Sequence, residues 1–218
     1  MDFLARITED KRKQLLSTHL LQVAKKCSTT ASDTFQDVAY YAGLWHDLGK
    51  YRQEWQKYLL GDGKREYHAP HGAMLALRNS DKVPAIAYII AGHHTGLHDK
   101  AHLESRDFEQ YAQGWGQAVE AAKQEIPDFV PEKLPDINLA YNRREFAIRM
   151  LFSVLVDADR FSRSKSFPEP LPAVHLSLGT QFVAILLESA FQGTGVVGGL
   201  RVQCKRSRSS APKCRLKP

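Results

Sequence analysis

This 218-residue chain carries most of its histidines in a few short patches that also include aspartates. Imidazole nitrogens and carboxylate oxygens are ligands of first-row transition metals. Clusters of this composition usually serve hydrolytic chemistry, so the pattern predicts a metal-dependent hydrolase. In chain order the candidates are His19, the pair His46-Asp47, His68 with His71, the pair His93-His94, and Asp157.

The pair His46-Asp47 is the centre of the pattern. Adjacent residues on a regular helix point about 100° apart, so both side chains reach one site only near a helix end, which Gly49 is suited to provide. A carboxylate can bridge two cations and an imidazole cannot. We therefore expect Asp47 to bridge two metals and His46 to bind one of them. The alternative is a helix-ending aspartate beside a half-buried histidine.

The pair His93-His94 closes the apolar stretch AIAYIIAGHH, which predicts a central helix. Imidazoles at a buried helix end need partners, because burial without them loses their hydration. A helix C-terminus also favours positive charge, including that of a metal. The alternative is a pair of solvated capping histidines.

Asp157 lies in the strongest predicted helix, residues 143–161, on one stripe with Val154. A carboxylate in a core stripe is costly unless it is paired, protonated or bound to a metal. The alternative is a salt bridge with Arg149 or Arg160. Asp159 is expected on another face, where it would orient a ligand or pair with an arginine.

Helical periodicity dominates the rest of the chain, and no convincing β-alternation occurs, so the fold class is all-α. One domain is predicted over residues 1–193. Residues 194–218 form a basic, Gly/Ser-rich tail, which we expect to be disordered or foreign to the fold. The predicted helices cover residues 10–27, 35–46, 50–60, 70–79, 84–93, 104–124, 143–161 and 179–191.

Composition limits the range of functions. The formal net charge is +6, but the seven Lys and Arg after Gly193 leave about −1 for the remainder, so the high pI does not indicate nucleic-acid binding by the folded part. The cysteines have no disulfide or zinc-finger spacing. No apolar run is long enough for a bilayer and no signal peptide begins the chain, so we expect a cytoplasmic protein.

Four local motifs resemble the HD nuclease domain of the CRISPR-associated helicase-nuclease of type I systems, within the HD phosphohydrolase superfamily. They are WHDLGK at 45–50, HAPHGA at 68–73, AGHHTGL at 91–97 and RMLFSVLVDAD at 149–159. The resemblance implies a helical bundle around a dinuclear metal centre. No Walker A motif accompanies it, so the chain is either a stand-alone nuclease subunit or a piece of a longer protein.

The resemblance also implies roles for residues. One metal would bind His19, His46, Asp47 and Asp157, and the other Asp47, His68, His93 and His94. The family has a histidine four residues before Gly-Ala, which favours His68 and leaves His71 as the alternative. Asp47 and Lys50 would be catalytic, with Lys50 holding Asp47 or offsetting phosphate charge unless it is an ordinary surface lysine. Thr95 and Gly96 would border the substrate.

The implied activity is cleavage of single-stranded DNA, as an endonuclease or exonuclease, in CRISPR interference and antiviral defence. The implied cofactor is two divalent ions; the histidine count favours Mn, Fe, Co or Ni, and Mg stays open because family members also use it. A helicase and a CRISPR surveillance complex would be the partners. Tyr51, Trp55 and Tyr58 could stack bases, or be core residues. The rival functions are hydrolysis of nucleotides and non-catalytic docking in a CRISPR complex.

Overall fold

The structure, a computed structural model, describes residues 2–80, 84–164, 201–205 and 213–217. The chain divides into two units, Met1–Glu169 and Pro170–Pro218. The first unit is mostly helical, which confirms the predicted class. Among the described residues, no helix combines the length and apolar character needed to cross a bilayer.

The first unit opens with a short antiparallel hairpin that the sequence did not predict. Its strands are β1 (Leu4–Ile7) and β2 (Lys13–Leu15), with Lys11 at a positive φ of 62° in the connection. The helix predicted from residue 10 therefore begins only at Leu16, because the preceding residues pair as a strand.

Nine helices follow within the described part of the first unit, several with bounds close to the predicted ones. The predicted helix 104–124 is two helices, because Gly114 adopts a left-handed conformation with φ 80°. The helices are α1 (Leu16–Thr30), α2 (Gln36–Trp45), α3 (Gln53–Leu60), α4 (Ala69–Arg78), α5 (Ala85–Gly92), α6 (Lys100–Leu103), α7 (Arg106–Tyr111), α8 (Trp115–Glu125) and α9 (Tyr141–Ser164), with 3₁₀ turns at Asp33–Phe35 and Leu48–Tyr51.

The core lies where α1, α2, α5 and α9 meet. The helix α1 packs against α2 and α9, and α5 packs against α2, α4 and α9. Trp45 is fully buried at the end of α2, and its indole N–H donates to Phe129 O at 2.8 Å. Leu20, Ile89 and Leu155 are also fully buried. The rigid ends of these helices are what position the histidines and aspartates.

In the second unit, β3 (Arg201–Lys205) pairs antiparallel with β4 (Lys213–Lys217), with the Cα atoms of Cys204 and Cys214 opposite each other. The predicted tail thus contains two paired strands in its described parts. The helix predicted at 179–191 and the boundary predicted near residue 193 lie outside the described residues, and the division into a domain and a tail stays a prediction.

Candidate metal centre

Asp47 lies at the middle of the cluster, in the break between α2 and the 3₁₀ turn Leu48–Tyr51. Its carboxylate is completely buried. Oδ2 lies 3.3 Å from the Nε2 atoms of both His19 and His46. Oδ1 lies 3.0 Å from His68 Nε2 and 3.7 Å from His93 Nε2. Each carboxylate oxygen therefore faces a different group of histidines.

The first group lies deep in the core and combines two histidines with two aspartates. The helices α1 and α9 bring His19 and Asp159 to the end of α2, where His46 caps the helix. Asp159 Oδ1 is 3.6 Å from His19 Nε2 and 3.7 Å from His46 Nε2. The group is His19, His46, Asp47 and Asp159, all buried, with one ligand atom from each within 4.8 Å of the others.

The second group reaches the surface. The N-cap of α4 supplies His68, and the end of α5 supplies His93 and His94. His93 is buried, whereas His94 is exposed, and the two Nε2 atoms of His68 and His94 are 2.9 Å apart. The group is Asp47, His68, His93 and His94, again with ligand atoms within 4.8 Å of one another. This group is therefore open to solvent at His94.

Backbone and hydroxyl partners orient three of the imidazoles. His46 Nδ1 lies 2.7 Å from Gly43 O, and His93 Nδ1 lies 2.7 Å from Ile90 O. In both histidines, Nδ1–H donates to that backbone carbonyl. His19 Nδ1 is 3.0 Å from Ser162 Oγ. With Nδ1 bonded in this way, Nε2 is the nitrogen that faces the cluster, and its lone pair can bind a metal when the ring is neutral, as in metal-binding histidines.

Glycines allow the close packing that this arrangement requires. A Cβ on Gly49 would lie 2.5 Å from His68 O, and a Cβ on Gly72 would overlap Trp45 O. Gly49 was expected to end a helix; instead it lies within the 3₁₀ turn and lets the start of α4 approach Asp47. Since backbone atoms cannot yield easily, a side chain at either position would separate the two ligand groups.

The charges of the cluster are coupled. Burial alone would raise the pKa of Asp47, but His46 and Lys50 hold it well below its usual range. Burial would lower the pKa of His46, but the carboxylates of Asp47 and Asp159 raise it to about 9. Without a metal, the core therefore balances ionised carboxylates with a protonated His46.

The second group has the opposite electrostatic character. Burial is the main cause that lowers the pKa of His68 to about 4 and that of His94 to about 3. Both imidazoles are consequently neutral near pH 7, which is the form that binds metals.

The unpaired polar atoms fit a divalent metal. Among the described residues, several buried ligand atoms have no hydrogen-bond partner, and leaving them unsatisfied is costly. Nitrogen and carboxylate ligands together suit first-row divalent ions. The atoms are Nε2 of His19, His46 and His93, and both carboxylate oxygens of Asp47, whose charged neighbour Lys50 makes an ion pair without a hydrogen bond.

Asp157 is predicted as a ligand, but the structure brings another aspartate of α9 to the cluster. Asp157 is exposed and belongs to neither group, whereas Asp159 is 4% exposed and faces His19 and His46. The buried stripe of α9 runs through Leu151, Leu155 and Asp159, four residues apart, rather than through Asp157.

Asp159 also pairs with an arginine, as the sequence suggested. Arg163 Nε donates to Asp159 Oδ1 at 3.0 Å, and a guanidinium N–H of Arg163 makes a close contact with Oδ2. Ser162 and Arg163 were not predicted as functional residues. Both residues lie about one helical turn after Asp159. A helix with Asp159 on its buried face would place them next to the cluster, and that spacing is the sequence signal for them.

Of the two alternatives His68 and His71, the structure brings only His68 into the cluster. His68 faces Asp47 and His94, whereas His71 is fully buried and belongs to neither group. Its Nε2 lies 3.1 Å from Gln113 O and its Nδ1 lies 3.3 Å from His68 O. His71 thus ties α4 to the loop before α8.

Lys50 is not a surface lysine. Its Nζ lies 2.6 Å from Asp47 Oδ2, and its side chain is largely buried. Thr95 and Gly96 are exposed directly after His94. Their predicted contact with substrate stays a prediction.

The predicted stacking residues are mostly core residues. Tyr51 and Trp55 are 2% and 6% exposed, and Tyr51 donates its hydroxyl to Glu125 Oε2 at 2.9 Å. Tyr58 is 38% exposed and lies edge-on to Trp55. Burial therefore excludes base stacking by Tyr51 and Trp55.

Histidines and aspartates from several helices meet in one cluster of this bundle. This arrangement is typical of helical proteins that bind metal ions in their cores. The chain matches the HD domain family over residues 16–130, more than half of its length, and it belongs to that family. HD domains are metal-dependent phosphohydrolases, and the matched region includes every predicted histidine ligand. No curated protein matches the chain.

Proposed function

We propose that this protein is a phosphodiesterase that cleaves single-stranded DNA with two divalent metal ions. The observation that carries the proposal is the position of Asp47, whose two oxygens face separate groups of imidazoles. Two divalent ions bound there would supply an activated water and charge stabilisation for both the attacking and the leaving oxygen of phosphodiester hydrolysis. Mn, Fe, Co and Ni suit the nitrogen-rich ligand set, and Mg stays a candidate.

The chain's own residues would fix the geometry of this reaction. Asp47 would bridge the two groups, with His19, His46 and Asp159 completing one of them. The carbonyl oxygens of Gly43 and Ile90 accept hydrogen bonds from Nδ1 of His46 and His93, which orients the two imidazoles. Such outer partners typically change metal affinity or activity by about 10–100-fold.

The open side of the second group favours a strand as substrate. His94, Thr95 and Gly96 are exposed there, while the first group is closed. A flexible single strand can bend a phosphate towards His94 more easily than a stiff duplex can.

The proposed place in CRISPR type I interference rests on the resemblance of WHDLGK, AGHHTGL and LFSVLVDAD to the HD nuclease domain of those systems. Under this proposal the protein works in the cytoplasm, beside a helicase and a surveillance complex that present the strand. The rival functions are nucleotide hydrolysis, which would use the same ligands, and non-catalytic docking.

Incubation of the metal-loaded protein with single-stranded DNA, duplex DNA and a panel of nucleotides tests the proposal. We expect cleavage of the single strand, and its loss in Asp47→Ala. The matched control is Asp157→Asn, which changes an exposed aspartate outside both groups. Hydrolysis of nucleotides alone would replace the proposal with the small-molecule function. Equal cleavage by Asp47→Ala would refute the site.

A further inference from the structure

Two tyrosines form an exposed aromatic pair beside the second ligand group. Tyr67 is 66% exposed and Tyr111 is 54% exposed. Their ring centroids are 5.6 Å apart, with the planes inclined at 63°. Large aromatic surfaces left in water on a folded protein often mark a binding surface.

The chain connects the pair to the start of α4, where His68 is the N-cap. Tyr67 immediately precedes His68, whose Nε2 faces Asp47. Tyr111 ends α7, and two residues later Gln113 O accepts a hydrogen bond from His71 on α4. The two tyrosines are thus held against the same end of α4 that supplies a ligand.

Two cations accompany the tyrosines. Lys64 and Arg65 are exposed, and neither has an ion-pair partner among the described residues. Glu66, the acid between them and Tyr67, lies 3.4 Å from Arg52 Nη1. The segment therefore offers free positive charge next to exposed aromatic rings, a combination typical of surfaces that bind unpaired nucleic-acid strands.

We propose that Lys64, Arg65, Tyr67 and Tyr111 form a binding surface for single-stranded nucleic acid that leads the strand to His68 and His94. Bases stack on the tyrosines, and the two cations contact the phosphates. A base within a duplex is stacked on its neighbours and cannot offer its face, so the surface selects unpaired strands. This inference rests on the proposed function and names the part of the protein that recognises its substrate.

Fluorescence of an oligodeoxythymidylate that contains 2-aminopurine measures stacking directly, without metal and without cleavage. We expect Tyr67→Ala and Tyr111→Ala each to weaken binding on the order of tenfold and to reduce the quenching of 2-aminopurine. Tyr67→Phe keeps the ring and should bind as the unmodified protein does. Phe146→Ala is the matched control. Phe146 is an exposed aromatic residue as well, with 43% of its surface accessible, but it is not one of the residues of this surface.

An abasic oligonucleotide separates base stacking from charge. The unmodified protein and Tyr67→Ala should bind it equally. Lys64→Gln and Arg65→Gln should weaken binding of either oligonucleotide and each reduce the salt dependence, log K against log salt, by about 0.7. Unchanged oligothymidylate binding in both tyrosine variants would overturn the surface.

The binding assay keeps this inference separate from the proposed function. Loss of stacking in Tyr67→Ala together with no cleavage by the metal-loaded protein would leave the surface intact and refute the nuclease. Normal cleavage of single-stranded DNA, with binding and KM unaffected by either tyrosine substitution, would support the nuclease and refute the binding surface.

Discussion

Lys50 neutralises Asp47 from within the protein, because its Nζ lies 2.6 Å from Asp47 Oδ2 and its side chain is only 10% exposed. The same ammonium lies 3.3 Å from Ala5 O and 4.9 Å from the centroid of the Trp55 ring. The hairpin and α3 therefore hold the lysine in place. In the metal-free protein, Lys50 and His46 are the cations that keep the buried Asp47 ionised.

Replacing Lys50 by Met should destabilise the metal-free protein by about 3 kcal/mol, the lower end for breaking a buried ion pair, because His46 remains. Added Mn(II) should restore part of the loss, since divalent ions would neutralise Asp47 instead. Urea denaturation with and without the metal measures both effects. Lys57→Met removes an exposed lysine and should change little. If Lys50→Met lowered the free energy of unfolding by the same amount at every Mn(II) concentration, the result would contradict this prediction.

Metal binding should release a proton from His46. The carboxylates raise the pKa of His46 to about 9, against the effect of burial, so it is protonated at pH 7, while a metal requires its neutral form. The proton competes with the metal below pH 9, and affinity should therefore rise with pH by up to about tenfold per unit.

Calorimetry in buffers of different ionisation enthalpy measures that release. At pH 7 we expect about one proton per protein, from His46. His68 and His94 should contribute none, because burial lowers their pKa to about 4 and about 3. A binding enthalpy independent of the buffer would contradict the assignment.

The two aspartates near the end of α9 should behave differently. Asp159→Asn removes a carboxylate that faces His19 and His46, and should lower metal content and cleavage by more than the roughly 10–100-fold that loss of an outer partner causes. Asp157→Asn should change neither. Metal analysis of the two purified proteins decides the matter, and the reverse result would restore Asp157 as the ligand.

Substitutions of the two histidines near the start of α4 should have different effects. His68→Ala should lower metal content and cleavage, whereas His71→Ala should keep the metal but lower stability by about 1–3 kcal/mol, because Gln113 O loses its buried donor. Thermal unfolding and metal analysis of both variants provide the comparison. Loss of metal from His71→Ala in a folded protein would count against this division of roles.

The sequence predicted the helices and most of the clustered residues for a physical reason. His46 and His93 end apolar helices, and the break after α2 allows Asp47 to reach the same space. Patterns of this kind depend on local sequence, so periodicity and helix ends are sufficient to place them.

Features that depend on packing were harder to predict. The helix α9 carries apolar residues on nearly every side, so its sequence alone does not determine which stripe faces the core, and its pattern favours Asp157 over Asp159. The hairpin is short and its strands pair across only a few residues. Tyr67 and Tyr111 lie far apart in sequence, and only the fold brings them together.

The most direct test of the central claim is anomalous X-ray diffraction from crystals of the protein loaded with Mn(II). The account predicts two manganese peaks with the Asp47 carboxylate between them, one contacted by His19, His46 and Asp159 and the other by His68, His93 and His94. A single peak, or manganese bound only away from Asp47, would contradict it.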